Sequence, residues 1–464
     1  MPAGGGAGLS PSVSQAAART VRTLSRRLGR GGGTTLPGRL LLRADPDALR
    51  RMSGALDEGS VLVSATNGKT TTAAMVADIL EAGGRSLVHN RAGSNMGWGV
   101  ATALLDAHPG RGQLGLFEVD EAWLPRVAEA LVPQTYLLSN LFRDQLDRYG
   151  ELETLADRWA ELVAAEAGSD RGARFVLNAD DPLVADLGRG HEGAVYFGVS
   201  DHSQALPALQ HAADSKHCRN CGAPYAYEAI YMGHLGHYSC PSCGRRRPQP
   251  SVEATKVVLQ GMSGARVHIS TPLGDLDVRL PLPGLYNVYN AVGAVALSLE
   301  LGATLGQIGS ALESFGGAFG RVETIPVAGR PVSILLVKNP AGANEVLRTL
   351  TLEHGQVDLW LALNDGIADG RDVSWIWDAD FELLAGRVRR VTCSGTRAEE
   401  MALRLKYAGI DAEPHVDRRL GSALDAAVAD RDAGRPLYAL PTYTALIELR
   451  ELLSERGLAA RWAD

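Results

Sequence analysis

The sequence predicts an α/β protein with a largely parallel sheet, and three features along its 464 residues support this. Short apolar segments rich in β-branched residues alternate with segments whose apolar residues recur at helical spacing. Polar loops follow several of these strands, at the edge where ligands bind in open α/β sheets. Two Cys-x-x-Cys pairs interrupt the alternation, which indicates a small inserted module.

The overall composition excludes several classes of protein. Hydrophobic residues make up 45% and charged residues 21%, as in ordinary globular domains. A net charge of -7 argues against a broad nucleic-acid-binding surface. Five cysteines are too few for a disulfide framework, and no apolar segment is long enough to span a bilayer or resembles a signal peptide. We therefore expect a cytoplasmic protein without a transmembrane segment.

Changes in composition divide the chain into three parts. Residues 1–50 are expected to form a tail and a basic helix, and residues 51–324 a central domain that binds a nucleotide. Residues 207–250 are expected to be inserted into that domain, and residues 325–464 to form a second α/β domain.

The basic helix is expected to begin near Ser14 and to end at the glycines of 31–33. Two interpretations of it remain open. It packs on the next domain with its arginines in water, or it contacts an anionic membrane surface.

A phosphate-binding loop is predicted after the apolar strand that begins at Val61. Backbone N–H groups of the loop and the positive end of the following helix suit phosphate oxygens, Lys69 suits the β- and γ-phosphates, and the Thr70 hydroxyl suits Mg²⁺. The match to G-x-x-x-x-G-K-[ST] is partial because its first glycine falls at Val63, so an ordinary β-turn-α junction is the alternative. The predicted nucleotide-binding residues here are Thr66, Asn67, Gly68, Lys69, Thr70 and Thr71.

Other strand ends and helix starts supply further candidates. Glu118 ends a buried strand and suits the same Mg²⁺, unless it is a carboxylate in water. Asp180 lies in a polar turn suited to a ribose or base. Asn287 and Asn290 share one face of a helix, where they bind a ligand or cap the helix, and Arg321 suits a γ-phosphate.

The cysteine pairs predict a zinc ribbon. Cys218 and Cys221, eighteen residues, then Cys240 and Cys243 have the spacing of a four-thiolate site. Four thiolates fill the tetrahedron of Zn²⁺, so the metal is expected to be structural.

The order of these motifs resembles the Mur ligase superfamily of ATP-dependent acid–amine ligases. The resemblance rests on Ala-Thr-Asn-Gly-Lys-Thr-Thr, Phe-Glu-Val-Asp-Glu-Ala, Leu-Ser-Asn-Leu-Phe-Arg-Asp-Gln-Leu-Asp, Gly-Leu-Tyr-Asn-Val-Tyr-Asn-Ala and Gly-Arg-Val-Glu. It implies ATP and Mg²⁺ as cofactors, and catalytic roles for Lys69, Glu118 and Arg321 in stabilising charge on the transferring phosphoryl group.

Three departures narrow the resemblance: the ribbon, Gln145 in place of a metal-binding histidine, and Lys338-Asn339-Pro340 in place of an Asp…His-Asn-Pro sequence. All three are similar to the Mur-ligase-like subunits of lipid II isoglutaminyl synthases, as are Asp-Gly-Arg-Asp-Val-Ser-Trp-Ile-Trp and Leu-Pro-Thr-Tyr-Thr-Ala. This implies peptidoglycan synthesis: amidation of the D-glutamate α-carboxylate of the lipid II stem peptide through an acyl phosphate, at the inner face of the membrane. The alternatives are a Mur- or folylpolyglutamate-type ligase that adds an amino acid, and a non-catalytic zinc-ribbon binding protein.

The ammonia is expected to come from another protein. A class I glutaminase needs a cysteine on a tight strand-to-helix turn with a histidine in reach, and Cys393 has neither a preceding glycine nor an evident histidine. The resemblance implies a GatD-like glutaminase subunit in a heterodimer, with an aspartate of the last domain orienting that subunit's catalytic histidine. The candidates are Asp365, Asp369 and Asp372, of which Asp372 is preferred. Their loop is expected to be too polar for the core.

Overall fold

A computed structural model describes residues 11–27, 35–91, 94–144, 152–169, 171–211, 213–316, 322–429 and 434–459. Its two main sheets belong to a central and a C-terminal domain, and a small hairpin belongs to the ribbon. The structure confirms the predicted α/β fold with parallel-rich sheets.

Within the described residues, the central sheet has nine strands in the order β11-β10-β9-β6-β5-β4-β1-β3-β2. All neighbours from β2 to β9 in that order are parallel, while β9, β10 and β11 form an antiparallel edge. The strands are β1 (Ser60–Ser64), β2 (Ser86–His89), β3 (Gln113–Glu118), β4 (Thr135–Leu138), β5 (Arg174–Asn178), β6 (Ala194–Val199), β9 (Val252–Leu259), β10 (Ala265–Thr271) and β11 (Gly274–Leu280).

Helices cover both faces of this sheet, as parallel strands require. They are α1 (Pro11–Arg27), α2 (Leu36–Ala44), α3 (Ala48–Ser53), α4 (Lys69–Ala82), α5 (Gly97–Leu104), α6 (Leu124–Leu131), α7 (Leu152–Ala167), α8 (Pro182–Ala185), α9 (Leu285–Glu300) and α10 (Leu305–Glu313).

The central strand β1 shows why this sequence forms a buried sheet. Val61 and Val63 enter the hydrophobic core on one face, and Leu62 enters the core on the other. Side chains alternate between faces along a strand, so a continuous apolar run buries both sides.

The described part of residues 1–50 contributes to the core, in addition to forming the expected basic helix. Helix α1 begins at Pro11, earlier than the expected Ser14, and α2 and α3 follow it. Ala18, Leu41 and Leu49 lie in the core that covers one face of the central sheet. This finding supports the packing interpretation of α1.

The ribbon is inserted in the sequence between β6 and β9, which are neighbouring strands of the central sheet. Its hairpin consists of β7 (Ala226–Met232) and β8 (Leu235–Ser239), which are antiparallel. Because β6 and β9 pair directly, the inserted segment leaves the sheet continuous.

The C-terminal sheet has the order β12-β13-β17-β14-β15-β16. Its strands are β12 (Val322–Val327), β13 (Arg330–Leu335), β14 (Val357–Ala362), β15 (Val388–Ser394), β16 (His415–Val416) and β17 (Leu437–Pro441). Its helices are α11 (Pro340–Thr351), α12 (Ala398–Tyr407), α13 (Leu420–Val428) and α14 (Tyr443–Glu455). Strand β12 pairs with β13, so a boundary at residue 325 falls inside a strand of this domain.

Candidate functional site

The predicted phosphate loop joins β1 to α4. Gly68 immediately precedes α4 with a φ of 88°, a left-handed conformation that favours glycine. A Cβ at Gly68 would lie 1.9 Å from Asn290 Oδ1, so the loop also needs glycine for space. Asn140 braces the loop, since the Asn67 N–H donates to Asn140 Oδ1 at 2.9 Å and Asn140 Nδ2 donates to the Asn67 carbonyl at 2.9 Å.

Lys69 is the first residue of α4, and its ammonium group lies inside the protein. Its Nζ donates to the Ala65 carbonyl at 2.9 Å and to Glu121 Oε2 at 3.0 Å. Burial acts to lower the pKa of Lys69, but the carboxylates of Glu121, Asp120 and Glu118 raise it above its ordinary value. Lys69 is therefore held as a cation where a phosphate would bind.

Glu121 is a functional candidate to which the sequence analysis assigned no role. Burial acts to raise its pKa, but Lys69 and Lys338 lower it below the ordinary value. Glu121 is therefore the charged counter-ion of Lys69. The sequence placed three acidic residues at this strand end, and only the fold shows which of them faces Lys69.

Thr70 and Glu118 meet as a magnesium site requires. The Thr70 hydroxyl donates to Glu118 Oε1 at 2.8 Å, and both residues are buried. Two neighbouring ligands of an octahedral Mg²⁺ lie about 2.9 Å apart, given metal–oxygen distances of about 2.0–2.1 Å. Asn95 Nδ2 also donates to Glu118 Oε1, at 3.4 Å, which keeps that carboxylate in place. The two oxygens fit one Mg²⁺.

A cleft beside the loop gathers most of the other candidates. From the central domain it is lined by Asn67, Gly68, Thr71, Asn287 and Asn290. Asn290 Nδ2 donates to Asn287 Oδ1 at 3.1 Å, and Asn287 Nδ2 donates to the Pro283 carbonyl at 2.8 Å. Thr66 lies deeper, where its hydroxyl accepts from the Phe142 N–H at 3.1 Å.

The C-terminal domain supplies the opposite wall of this cleft. Lys338 Nζ donates to Asp144 Oδ2 at 2.5 Å and to the Thr66 carbonyl at 3.2 Å. Asn339 Nδ2 donates to Asn67 Oδ1 at 3.0 Å. In the sequence, Lys338 and Asn339 served only to distinguish members of the family, although their place just after β13 also indicates ligand binding.

Asp180 differs from the other candidates that the structure describes, because its carboxylate is enclosed by other groups of the protein. Its side chain is fully buried, with Arg247 Nε at 2.5 Å from Oδ1 and Tyr289 Oη at 2.7 Å from Oδ2. The Val199 N–H also donates to Oδ2, at 2.8 Å. The carboxylate thus ties Arg247, near the end of the inserted segment 207–250, to α9 and is not exposed to a ligand. Arg321 and Gln145 lie outside the described residues.

The four cysteines of the ribbon converge on one point. Their Sγ atoms all lie within 4.8 Å of one another, with pairs at 3.6 Å (Cys218 and Cys243) and 3.4 Å (Cys221 and Cys240). Thiolates around a tetrahedral Zn²⁺ lie about 3.8 Å apart, given Zn–S bonds of about 2.3 Å. The cluster therefore suits a metal with tetrahedral thiolate coordination.

The three aspartates in the loop after β14 have different environments. Asp369 is buried, its Oδ1 accepts from the Thr444 N–H at 2.8 Å, and burial raises its pKa. The expectation that this loop is too polar for the core is therefore wrong for Asp369. Asp365 pairs with Arg397 at 2.8 Å. Asp372 is exposed, and the hydrogen bond from the Ser374 N–H lowers its pKa. Among the three, Asp372 has the carboxylate best placed to reach another protein.

Two protein families match the chain. The Mur ligase middle domain matches residues 63–298, and the MurT ligase C-terminal family matches residues 336–446. Solved structures agree with this fold. A pseudomurein peptide ligase type C from Methanothermus fervidus has a TM-score of 0.67 at 22% identity, covering 86% of this chain and 79% of that one. Folylpolyglutamate synthase from Mycobacterium tuberculosis, complexed with ADP, has a TM-score of 0.60 at 15% identity, covering 96% and 99%.

Curated relatives match over nearly the whole length. The MurT subunit of lipid II isoglutaminyl synthase (glutamine-hydrolyzing) from Staphylococcus aureus strain N315 is 33% identical over 438 residues, which is 94% of this chain and 96% of that protein. The subunit of the same name from Streptococcus pneumoniae strain R6 is 32% identical over 456 residues, covering 98% and 99%. With the phosphate loop, the Thr70–Glu118 pair and the C-terminal domain in place, this chain belongs to the MurT family of Mur ligases.

Proposed function

We propose that the chain uses ATP to amidate the α-carboxylate of D-glutamate in the stem peptide of lipid II, giving D-isoglutamine for peptidoglycan synthesis. The observation that carries the proposal is a pair of buried contacts beside the interdomain cleft: the ion pair of Lys69 with Glu121 and the hydrogen bond of Thr70 with Glu118. Relatives that are named for this synthase match the chain over nearly its full length.

The chemistry explains why such a site suits amidation. A carboxylate is a poor electrophile, so transfer of the γ-phosphoryl group of ATP gives an acyl phosphate with a good leaving group. Ammonia then attacks the acyl carbon, and phosphate leaves. Lys69 would hold the phosphates and stabilise charge during transfer, while backbone N–H groups at the start of α4 bind phosphate oxygens. Thr70 and Glu118 would hold Mg²⁺, which neutralises phosphate charge.

The remaining cleft residues would position the nucleotide and close the site. Asn287 and Asn290 line the side of the cleft that faces Gly68. Lys338 and Asn339 reach the loop from the C-terminal domain, so they would couple domain closure to nucleotide binding. Arg321 is proposed, from the sequence alone, as a further cation for the γ-phosphate.

The ribbon is proposed to hold Zn²⁺ for folding rather than for catalysis. Four thiolates leave no open coordination position for a substrate. The two knuckles are built alike: Gly222 N donates to the Cys218 carbonyl at 2.7 Å, and Gly244 N donates to the Cys240 carbonyl at 3.0 Å. Both glycines have positive φ values, of 74° and 75°.

Ammonia is proposed to come from a GatD-like glutaminase subunit in a heterodimer. Cys393 is fully buried in β15, and burial raises the pKa of its thiol to about 12, so it is unsuited to nucleophilic attack. Asp372 is proposed to orient the catalytic histidine of the partner. Exposed apolar side chains lie on the same loop and on the turn after it, since Ile367 is 77% and Trp377 is 48% exposed. Such side chains suit a protein interface.

The substrate carries a lipid, so the chain is proposed to work in the cytoplasm at the inner face of the membrane. Among the helices that the structure describes, none is long and apolar enough to cross a bilayer. Association with the membrane would therefore be peripheral.

The test is amidation of lipid II with ATP and Mg²⁺, with product mass as the readout. We expect a mass change of about one unit, as OH is replaced by NH₂, with ammonium alone. With glutamine we expect the same change only when the glutaminase subunit is co-expressed. Lys69→Met should abolish turnover, whereas Lys256→Met, at an exposed lysine, should not. An increase equal to a whole amino acid would instead identify an amino-acid-adding ligase, and no mass change in any combination would refute the proposal.

A further inference from the structure

Helix α2 presents an exposed face on which leucines and arginines alternate. Leu36 and Leu40 are 50% and 42% exposed, and Arg39 and Arg43 are also exposed. The spacing of these four residues places them along one side of the helix. Helix α2 packs closely on α5 at Gly38. A Cβ at that position would lie 1.8 Å from the Trp98 carbonyl oxygen, so a larger residue would push the two helices apart.

Two tryptophans border this face and form one open groove with it. The rings of Trp98 and Trp123 meet edge to face, with centroids 5.0 Å apart. The guanidinium of Arg39 lies 5.6 Å from the Trp98 ring centroid, and that of Arg126 lies 5.4 Å from the Trp123 centroid. We call Leu36, Arg39, Leu40, Arg43, Trp98 and Trp123 the amphipathic surface.

The charge of this surface is opposite to that of the whole chain. Among the ion pairs of the described residues, none joins Arg39, Arg43 or Arg126 to a carboxylate, whereas the nearby Arg50 lies 3.8 Å from Glu129. The chain as a whole has a net charge of -7. Cationic side chains are therefore concentrated here, beside exposed leucines and tryptophans.

Helix α1, which the sequence suggested for membrane contact, is less suitable. Arg22 forms two hydrogen bonds with Asp106, at 2.5 and 2.7 Å, and Arg19 donates to the Leu105 carbonyl at 3.2 Å. These arginines hold α1 against the domain, so they are not directed outward as those of α2 are.

Trp123, one residue of the amphipathic surface, is close in the chain to the candidate active site. Trp123 follows Glu121 by two residues, and Glu121 pairs with Lys69 at 3.0 Å. The turn after β3 therefore contributes one residue to the surface and one to the site.

We propose that the amphipathic surface binds the face of an anionic phospholipid bilayer. Leucines enter the boundary of the acyl chains, tryptophans lie among the headgroups, and arginines pair with lipid phosphates. The proposal rests on the proposed function only in that the bilayer carries the substrate.

The test is flotation of the full-length chain, alone and with the glutaminase subunit, with vesicles of phosphatidylglycerol and phosphatidylcholine or of phosphatidylcholine alone. We expect binding to the anionic vesicles that weakens at high salt. The variants L36S/L40S and R39E/R43E should each lower the partition coefficient by about tenfold or more. The controls L273S and R266E change an exposed leucine and an exposed arginine on the antiparallel edge of the sheet, and they should bind as the unmodified chain does.

Failure of this proposal and failure of the proposed function give different results. Absence of binding to anionic vesicles, equal binding to neutral ones, or unchanged binding by both surface variants would overturn the bilayer proposal. Amidation of a lipid-free, water-soluble precursor with ammonium should survive in the surface variants, because their nucleotide site is intact. Vesicle binding without amidation of either precursor would leave the bilayer proposal standing and refute the proposed function.

Discussion

Glu345 is a buried acid whose ionisation should destabilise the protein as the pH rises. It lies in α11 with a relative exposure of 1%, and neither carboxylate oxygen has a hydrogen-bond partner among the described residues. Burial raises its pKa to about 7, although Arg348, whose Nη1 lies 3.9 Å from Oε1, acts to lower it. The folded protein therefore holds Glu345 protonated at a pH where the unfolded chain has lost that proton.

The sign and size of the effect follow from this difference. Because the pKa is raised in the folded state, the folded state binds more protons than the unfolded state between the ordinary value of 4.5 and about 7, and the free energy of unfolding falls as pH rises through that window. Above pH 7 the loss reaches roughly 3 kcal/mol, because each tenfold difference in proton affinity between the two states corresponds to about 1.4 kcal/mol. About 2 kcal/mol of it is lost between about pH 5.5 and about pH 8.

The measurement is denaturant unfolding of the unmodified chain and of Glu345→Gln at these two pH values. Glutamine does not ionise, so the free energy of unfolding of the variant relative to the unmodified chain should rise by about 2 kcal/mol from the lower to the higher pH. Other titrating groups cancel in this double difference. The control Glu192→Gln removes an exposed carboxylate and should show no such rise. A Glu345→Gln difference that is independent of pH would refute the assignment of a buried, protonated carboxyl.

Three further predictions concern the loop, the ribbon and the partner. Gly68→Ala should weaken ATP binding, measured by calorimetry, by about tenfold or more, because the alanine strains the backbone and its Cβ clashes with the Asn290 side chain. The control Gly84→Ala has a similar φ of 84° but open space around the Cβ, so it should leave ATP binding unchanged. Cys218→Ser should lower the yield of soluble protein and the zinc content, which is measured by mass spectrometry of the metal, whereas the control Cys393→Ala should retain zinc. A Cys218→Ser chain that is soluble, free of zinc and fully active would exclude a structural metal. Asp372→Asn should lower glutamine-dependent amidation by at least about tenfold while ammonium-dependent amidation stays constant, and an equal fall in both would contradict a role toward the partner.

Local patterns explain which elements the sequence could predict. Strand β1 and its loop were recognisable because an apolar run, a Gly-Lys-Thr turn and a helical pattern follow one another directly. Helix α12, Ala398–Tyr407, shows the same kind of local pattern, because its buried residues Ala398, Met401 and Leu405 recur at helical spacing. Strand β2 was not predicted, since it is four residues long and lies at the edge of the sheet, where burial imposes little pattern.

Asp180 shows why local patterns are insufficient for assigning a site. Its turn follows a strand, as a ligand-binding turn would, yet its carboxylate is bonded to Arg247, 67 positions later in the chain. The sequence contains both residues but does not indicate their contact, because the intervening ribbon returns the chain to the neighbouring strand.

The sequence by itself determined the α/β fold, the strand–turn–helix unit that contains Gly68 and Lys69, and the pairing of four cysteines into one module, because each depends on residues that are close together in the chain or on a spacing typical of metal sites. Only the tertiary structure decided that Glu121 is the counter-ion of Lys69, that Lys338 and Asn339 face the loop, and that α2 directs an amphipathic surface outward. These relations join segments that are far apart in sequence, and the packing of helices on the sheet and of one domain on the other sets the distances between them.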